Sequence, residues 1–242
     1  MTLKSCLVGL ATIVLAGVLL AAPVPKEKSE NPGPITDEQL KQASNNLEQI
    51  GITLHGYHDT YGIMPNNILD KAGKLLLSWR VTILPFIEEE ELYKQFKLDE
   101  PWDSETNKKL IEKLPKIYTP VRAKTKEKGM TFLQGFDGVD ATFEGGKKLR
   151  LPASFPDGTS TTIAVVEAGE PVIWSKPGDI PFDATKPLPA LDGQFDGDFH
   201  VVCMDGASYK AIGKNVNADV FKKMITKAHG HVVNIEAALW HK

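Results

Sequence analysis

The sequence predicts an α+β domain: a long amphipathic helix near the start, packed on an antiparallel sheet built from later strands, with short additional helices. Three observations carry this. Leu40, Ala43, Leu47, Ile50, Leu54 and Tyr57 recur at three- and four-residue spacing, the period of one helix face. Segments of alternating or β-branched character come late, at Met130 to Leu133, Thr161 to Val166, Val172 to Trp174 and Phe199 to Met204. Turn signals bound them: Asp137-Gly138, Gly145-Gly146, Asp157-Gly158, Gly193 and Asp205-Gly206. Helices early and strands late segregate into an α+β architecture.

Taken in order, the chain opens with Lys4 and then a charge-free run from Leu7 to Ala22, followed by Pro23, Pro25 and Lys26. Such a run has no polar face to show water, so residues 1–22 read as a signal peptide or a membrane anchor, a transmembrane helix if uncleaved. Residues 23–35 are rich in Pro, Lys, Glu and Asn and hold too little apolar surface to offset the entropy of ordering; they read as a linker. Residues 36–242 then form a single domain. Thr36 with Gln39 resembles a capping box at the head of the long helix. Gly51 and Gly56 lower its helical propensity, and Gly62 with Pro65 closes it. Leu75 to Phe86 is apolar; Ile87 to Phe96 predicts a short helix with an acidic start; Asn107 to Leu114 predicts a polar helical turn. After the strands, Asn217 is a fitting N-cap for a last helix, Ala218 to Ala228.

Bulk composition narrows the function classes. The chain has 242 residues, 42% of them hydrophobic, enough for a sizeable core. Its 28 Lys+Arg against 31 Asp+Glu leave no dense basic block for a phosphate backbone, so nucleic acid is not an expected partner. One of the two cysteines, Cys6, lies beside the apolar run, leaving Cys203 as the domain's only thiol. That excludes a disulfide within the domain and a cysteine-based zinc site.

The run Ser44 to Asp59, together with Ser78 to Glu88 and its core Ser78-Trp79-Arg80-Val81, resembles the planctomycete family of prepilin-like proteins with a domain of unknown function. Pro101-Trp102-Asp103, Asp157-Gly158-Thr159-Ser160, Glu167, Trp174-Ser175-Lys176-Pro177 and Asp205-Gly206 extend the resemblance over nearly all of the chain beyond the linker. It implies a pilin-like or pseudopilin-like build, an N-terminal helix on an antiparallel sheet, and no established activity. Three positions depart from the pattern. The Gly-Phe-Thr-Leu-x-Glu processing site of a prepilin is absent; Phe195 stands where members carry His; and Ala43 and Thr119 stand where members carry Cys, which implies a disulfide lost here.

Several constellations invite chemistry. Asp192, Asp196, Asp198 and His200 cluster around Gly193 and Gly197; if a strand begins at Asp196, alternation puts Asp196, Asp198 and His200 on one face. Asp192, Asp196 and Asp198 are therefore the candidate cation ligands, with weakly bound calcium as the only cofactor reading, against the plainer reading of a solvated turn. His55 and His58 lie a helical turn apart beside Asp59, spacing that can serve a metal but more commonly packs a helix end. Ser160 follows a tight turn but lacks the Gly-x-Ser-x-Gly elbow. Trp79, Trp102 and Trp174 read as core residues, or as a sugar-stacking platform if they share an open cleft.

No catalytic set stands out. The expected function is a non-enzymatic structural or interaction role for an exported protein, periplasmic, at the cell surface or membrane-anchored, with envelope or surface proteins as partners. A carbohydrate-binding or glycan-processing module is the alternative.

Overall fold

The computed structural model describes residues 33–144, 146–230 and 233–239. Helix α1 spans Asp37–Tyr61. Thr36 caps it: its hydroxyl accepts from the Gln39 N–H while the Gln39 side chain accepts from the Thr36 N–H, the predicted capping box. Gly62, at φ 71°, ends it in the left-handed conformation that only a missing Cβ makes cheap. Asp37 and Glu38 in the first turn complement the helix dipole.

A hairpin of β1 (Ile68–Leu69) and β2 (Leu75–Leu77) follows. The apolar run beyond it bends into α2 (Trp79–Thr82), a 3-10 turn at Leu84–Ile87 and α3 (Glu90–Tyr93). Pro85 lacks the N–H that would continue α2 as one long helix. The predicted helix from Ile87 to Phe96 is thus a single turn plus flanking turns. Further 3-10 turns lie at Asn107–Leu110 and Lys116–Tyr118.

The main sheet is antiparallel, with strands β3 (Met130–Gln134), β5 (Ile163–Ile173), β7 (Phe199–Cys203) and β8 (Ser208–Ala211) in the order β3-β5-β7-β8. A small parallel pair, β4 (Phe136–Asp137) with β6 (Ile180–Pro181), stands beside it. The two strands predicted at Thr161 to Val166 and Val172 to Trp174 are one strand. Thr131 faces Val172 and Leu133 faces Glu167, so two steps on β3 oppose five on β5, and the surplus is taken up where Gly169 adopts φ 74°. Helices α4 (Ala218–Ile225, capped by Asn217) and α5 (Ile235–Leu239) close the chain.

The N-terminal helix packs on this sheet, against β5, β7 and β8, with the short helices around it. Leu47, Ile50 and Leu54 meet Leu133, Val165, Val202 and Met204, joined by Trp79 and Trp174. On the opposite face Ile163, Val166, Phe199, Val201 and Cys203 pack under Phe221, Met224 and Ile225 of α4. Every residue of β7 is buried, His200 included, so the strand is covered on both faces and shows no alternation of apolar and exposed positions. Gly51 has a structural reason: a Cβ there would stand 2.8 Å from Gly206 Cα, so the helix can lie against the Asp205-Gly206 turn only without a side chain.

No helix among the described residues is long and apolar enough to cross a membrane. The expectation of a transmembrane helix is corrected accordingly: α1, the longest described helix, is amphipathic, with Glu48 and Ile52 exposed opposite its buried stripe. The stretch from Leu7 to Ala22, where that helix and the signal-peptide reading were placed, lies outside the described residues, as does most of the linker.

Candidate functional site

A concavity of about 860 Å³ opens where the loop leading into β7 meets residues 122–123 and the turn after β8. Its apolar wall is Leu188, Leu191, Phe199 and Val216; Arg122, Asp192, Asp196 and Lys214 supply the charge. The wall is shaped by a tight two-residue turn. Asp198 N–H donates to the Phe195 carbonyl at 3.0 Å, and both central residues, Asp196 at φ 55° and Gly197 at φ 95°, are left-handed. Gly213 closes on this turn: a Cβ there would fall 1.9 Å from the Gly197 carbonyl oxygen.

Arg122 fixes the other side. Its Nη1 donates to the Gln194 carbonyl at 2.8 Å and to Asp196 Oδ1 at 3.0 Å; its Nη2 donates to Asp196 Oδ2 at 3.2 Å and to the Gly33 carbonyl. This is a forked arginine–carboxylate pair. The Arg122 side chain is 2% exposed while Asp196 is 66% exposed, so solvent weakens the pair from one side only. Gln194 is the connector. Its Oε1 accepts from the N–H groups of Arg122, at 2.8 Å, and Ala123, at 3.2 Å, and its Nε2 donates to Glu167 Oε1.

Behind Gln194 lies a buried acid–base pair. Glu167 on β5 and His200 on β7 are register partners, each 3% exposed, with Glu167 Oε2 3.5 Å from His200 Nδ1. Burial raises the Glu167 carboxyl above the ordinary range; the His200 ring and the Gln194 amide oppose this without cancelling it. Phe195 meets the His200 ring edge-on at 5.1 Å, filling the position where the resemblance expected a histidine.

The candidate cation ligands are thereby placed. Asp192 is exposed on the rim; Asp196 is engaged by Arg122; Asp198 pairs with Lys210 at 3.0 Å and accepts from the Gly213 N–H. No group of three or more His, Cys, Asp or Glu that could hold a metal ion occurs among the described residues. The anticipated shared face of Asp196, Asp198 and His200 does not form, because the strand begins at Phe199 and Asp196 sits in the preceding turn.

The other candidates have structural partners. His55 Nε2 meets the Met204 carbonyl at 2.8 Å, and His58 Nε2 accepts from the Leu151 N–H at 3.2 Å. Asp157 accepts from the main-chain N–H groups of His229 and Gly230 and pairs with the His229 ring, tying the segment after α4 to the turn that carries exposed Ser160. Burial pushes the Asp157 carboxyl up, but those hydrogen bonds together outweigh it and hold it below the usual range. Trp79 and Trp174 are 0% exposed, and the partly open Trp102 lies under the Lys176 ammonium, so the three indoles form no common open platform. The Cys203 thiol is pushed up to about 12 by burial, with Asp205 adding to the shift. Arg122 and Gln194 went unnoticed in the sequence: neither lies in a periodic run or motif, and only the fold brings them together.

Residues 41–123 match a family described as a protein of unknown function (DUF1559). The match runs from α1 to just past Arg122. The chain is similar to that family over this part, and the family's description names neither a pilin nor an activity. No curated protein and no solved structure matches the chain.

Proposed function

We propose that the protein works by binding and not by chemistry, as an exported module of pilin-like build whose cleft between residues 188 and 216 receives a partner molecule. One observation carries this reading. The cleft is large, about 860 Å³, and two polar side chains of its wall are held by partners within the chain: the Arg122 Nη atoms by Asp196 and two carbonyls, Gln194 by Glu167 and two N–H groups. Such a wall is preorganised, so a ligand that fits it need not meet the cost of ordering it. The groups best suited to proton or group transfer, Glu167, His200 and Cys203, sit behind the wall or in the core. Pilin-like build is supported by the helix-on-sheet packing and by the sequence resemblance; export is supported by the charge-free run from Leu7 to Ala22.

The test is an amide NMR titration of the purified protein with panels of oligosaccharides, peptides and nucleotides. Shift changes confined to residues 188–197, 122–123 and 213–216 are expected for at least one class. Changes centred on another face, or turnover of any panel member, would refute the reading. N-terminal sequencing of protein from fractionated cells checks export; intact protein in the cytosolic fraction would remove that part.

A further inference from the structure

Two ionisable side chains lie behind the cleft wall, and one of them, Glu167, holds Gln194 in place. Glu167 Oε2 and His200 Nδ1 face each other at 3.5 Å, and neither atom has another hydrogen-bond partner among the described residues. Such a gap suits one proton. With none, two lone pairs confront each other; with two, an O–H confronts an N–H. At 3% exposure and with Phe195 against the ring, water cannot soften either mismatch. When the gap holds its one proton the pair is neutral overall, as buried groups require; a second proton leaves a buried positive charge with no counterion.

The strain of that mismatch has a route to the surface. An amide has a fixed polarity, so Gln194 can donate to Glu167 Oε1 and accept from the Arg122 and Ala123 N–H groups in only one orientation. If Glu167 turns away, Gln194 loses what orients it, and the backbone beneath Arg122 loses its acceptor. Helix α1, which packs across β5, β7 and β8, buries no titratable residue against them. β3 places only Leu133 opposite Glu167; the loop contributes Gln194, and beyond it the Arg122–Asp196 pair; β8 places Lys210 opposite His200, where it is engaged by Asp198.

We propose that the number of protons held by the Glu167–His200 pair controls whether the Arg122 side of the cleft keeps its shape, holding it at neutral pH and releasing it on acidification. The raised Glu167 carboxyl agrees with this, since it keeps the shared proton, and with it the neutral pair, in place toward neutral pH. The consequence for ligand capture rests on the binding reading above. The wall responds whether or not any ligand exists, so the two ideas fail separately.

The experiment is hydrogen exchange on the full chain, read at the Arg122 and Ala123 amides from about pH 7.5 to about pH 5, the span in which histidines ordinarily titrate. After correction for the intrinsic rate, protection at these two amides is expected to fall about tenfold or more while β5 and β7 stay protected. His200→Gln removes the site of the second proton and should abolish the response. Gln194→Leu should leave both amides weakly protected at either pH. Protection that falls in parallel across the whole sheet, or a response unchanged in His200→Gln, would overturn the proposal. Should His200→Gln not fold, the wild-type protein decides by itself: the His200 ring and the Arg122 guanidinium signals must titrate with one midpoint, and separate midpoints would also overturn it.

Discussion

Replacing Asp179 with alanine should strip a buried arginine of its only counterion among the described residues. Arg80 and Asp179 have side chains 0% and 1% exposed, and Arg80 Nη2 lies 2.8 Å from Asp179 Oδ1. The same oxygen accepts from the Trp79 indole N–H at 3.1 Å and from the Gly135 N–H at 2.8 Å. Among the described residues, Asp179→Ala leaves the guanidinium with neutral partners, Leu133 O and Ser78 Oγ, each at 2.7 Å. Breaking a buried ion pair from one side costs ~3–5 kcal/mol. The two orphaned neutral donors push the loss toward the upper end, since each buried donor left unsatisfied costs ~1–3 kcal/mol and the terms are not additive. For a domain of this size each kcal/mol moves the melting temperature by about 2–4 °C, so a fall of about 6–20 °C is expected. Urea denaturation with an unchanged m value should give the free energy directly. Removing both charges, as Arg80→Met with Asp179→Leu, should be milder than Asp179→Ala alone, because no charge is then left without a partner. A single-mutant loss below about 1 kcal/mol, or a double mutant worse than the single, would refute this account of the network.

Gly51→Ala and Gly56→Ala should move stability in opposite directions. The first places a Cβ 2.8 Å from the Gly206 Cα and should cost about 1–3 kcal/mol, whereas the second meets Phe86 at an ordinary 3.6 Å and should gain about 0.5–1 kcal/mol of helix propensity; paired thermal melts decide it. Acid should weaken the fold through Glu144. Burial pushes its carboxyl up, but Lys147 and Lys227 more than reverse this and lower it from 4.5 to about 2. The folded state therefore binds this proton less tightly than the unfolded chain, and its contribution, full above pH 4.5, is lost as pH falls toward about 2. Glu144→Gln should flatten urea stability over that window, and a slope identical to wild type would count against the pair. Cys203, its thiol pushed up to about 12, should resist iodoacetamide in the native protein and react on unfolding; fast native labelling would place it outside the core.

How much of this was readable depended on how local each cause is. The capping box, the stripe from Leu40 to Tyr57 and the Asn217 cap concern neighbours three or four residues apart, and all three appear where expected. The continuity of β5 was not readable, because Gly169-Glu170-Pro171 has turn chemistry and only the facing β3 shows that the strand resumes in register with Met130 and Thr131. At the site, the parity of the acidic residues depends on where β7 starts, and the Asp196-Gly197 turn delays that to Phe199. Glu167 and His200 were each singled out, but their pairing needed the register of β5 on β7. Arg122 lies 72 positions from Gln194, with nothing in the intervening chain to announce their contact.

The bed on which α1 rests is made from the far end of the polypeptide. Its Leu47, Ile50 and Leu54 are roofed by Val202 and Met204, and its Gly51 is notched against Gly206. In a chain that emerges N-terminus first, this apolar stripe comes out long before its bed exists and must wait, sticky and unaccompanied. A chaperone held on that stripe until β7 and β8 close would spare the helix from finding the wrong neighbour.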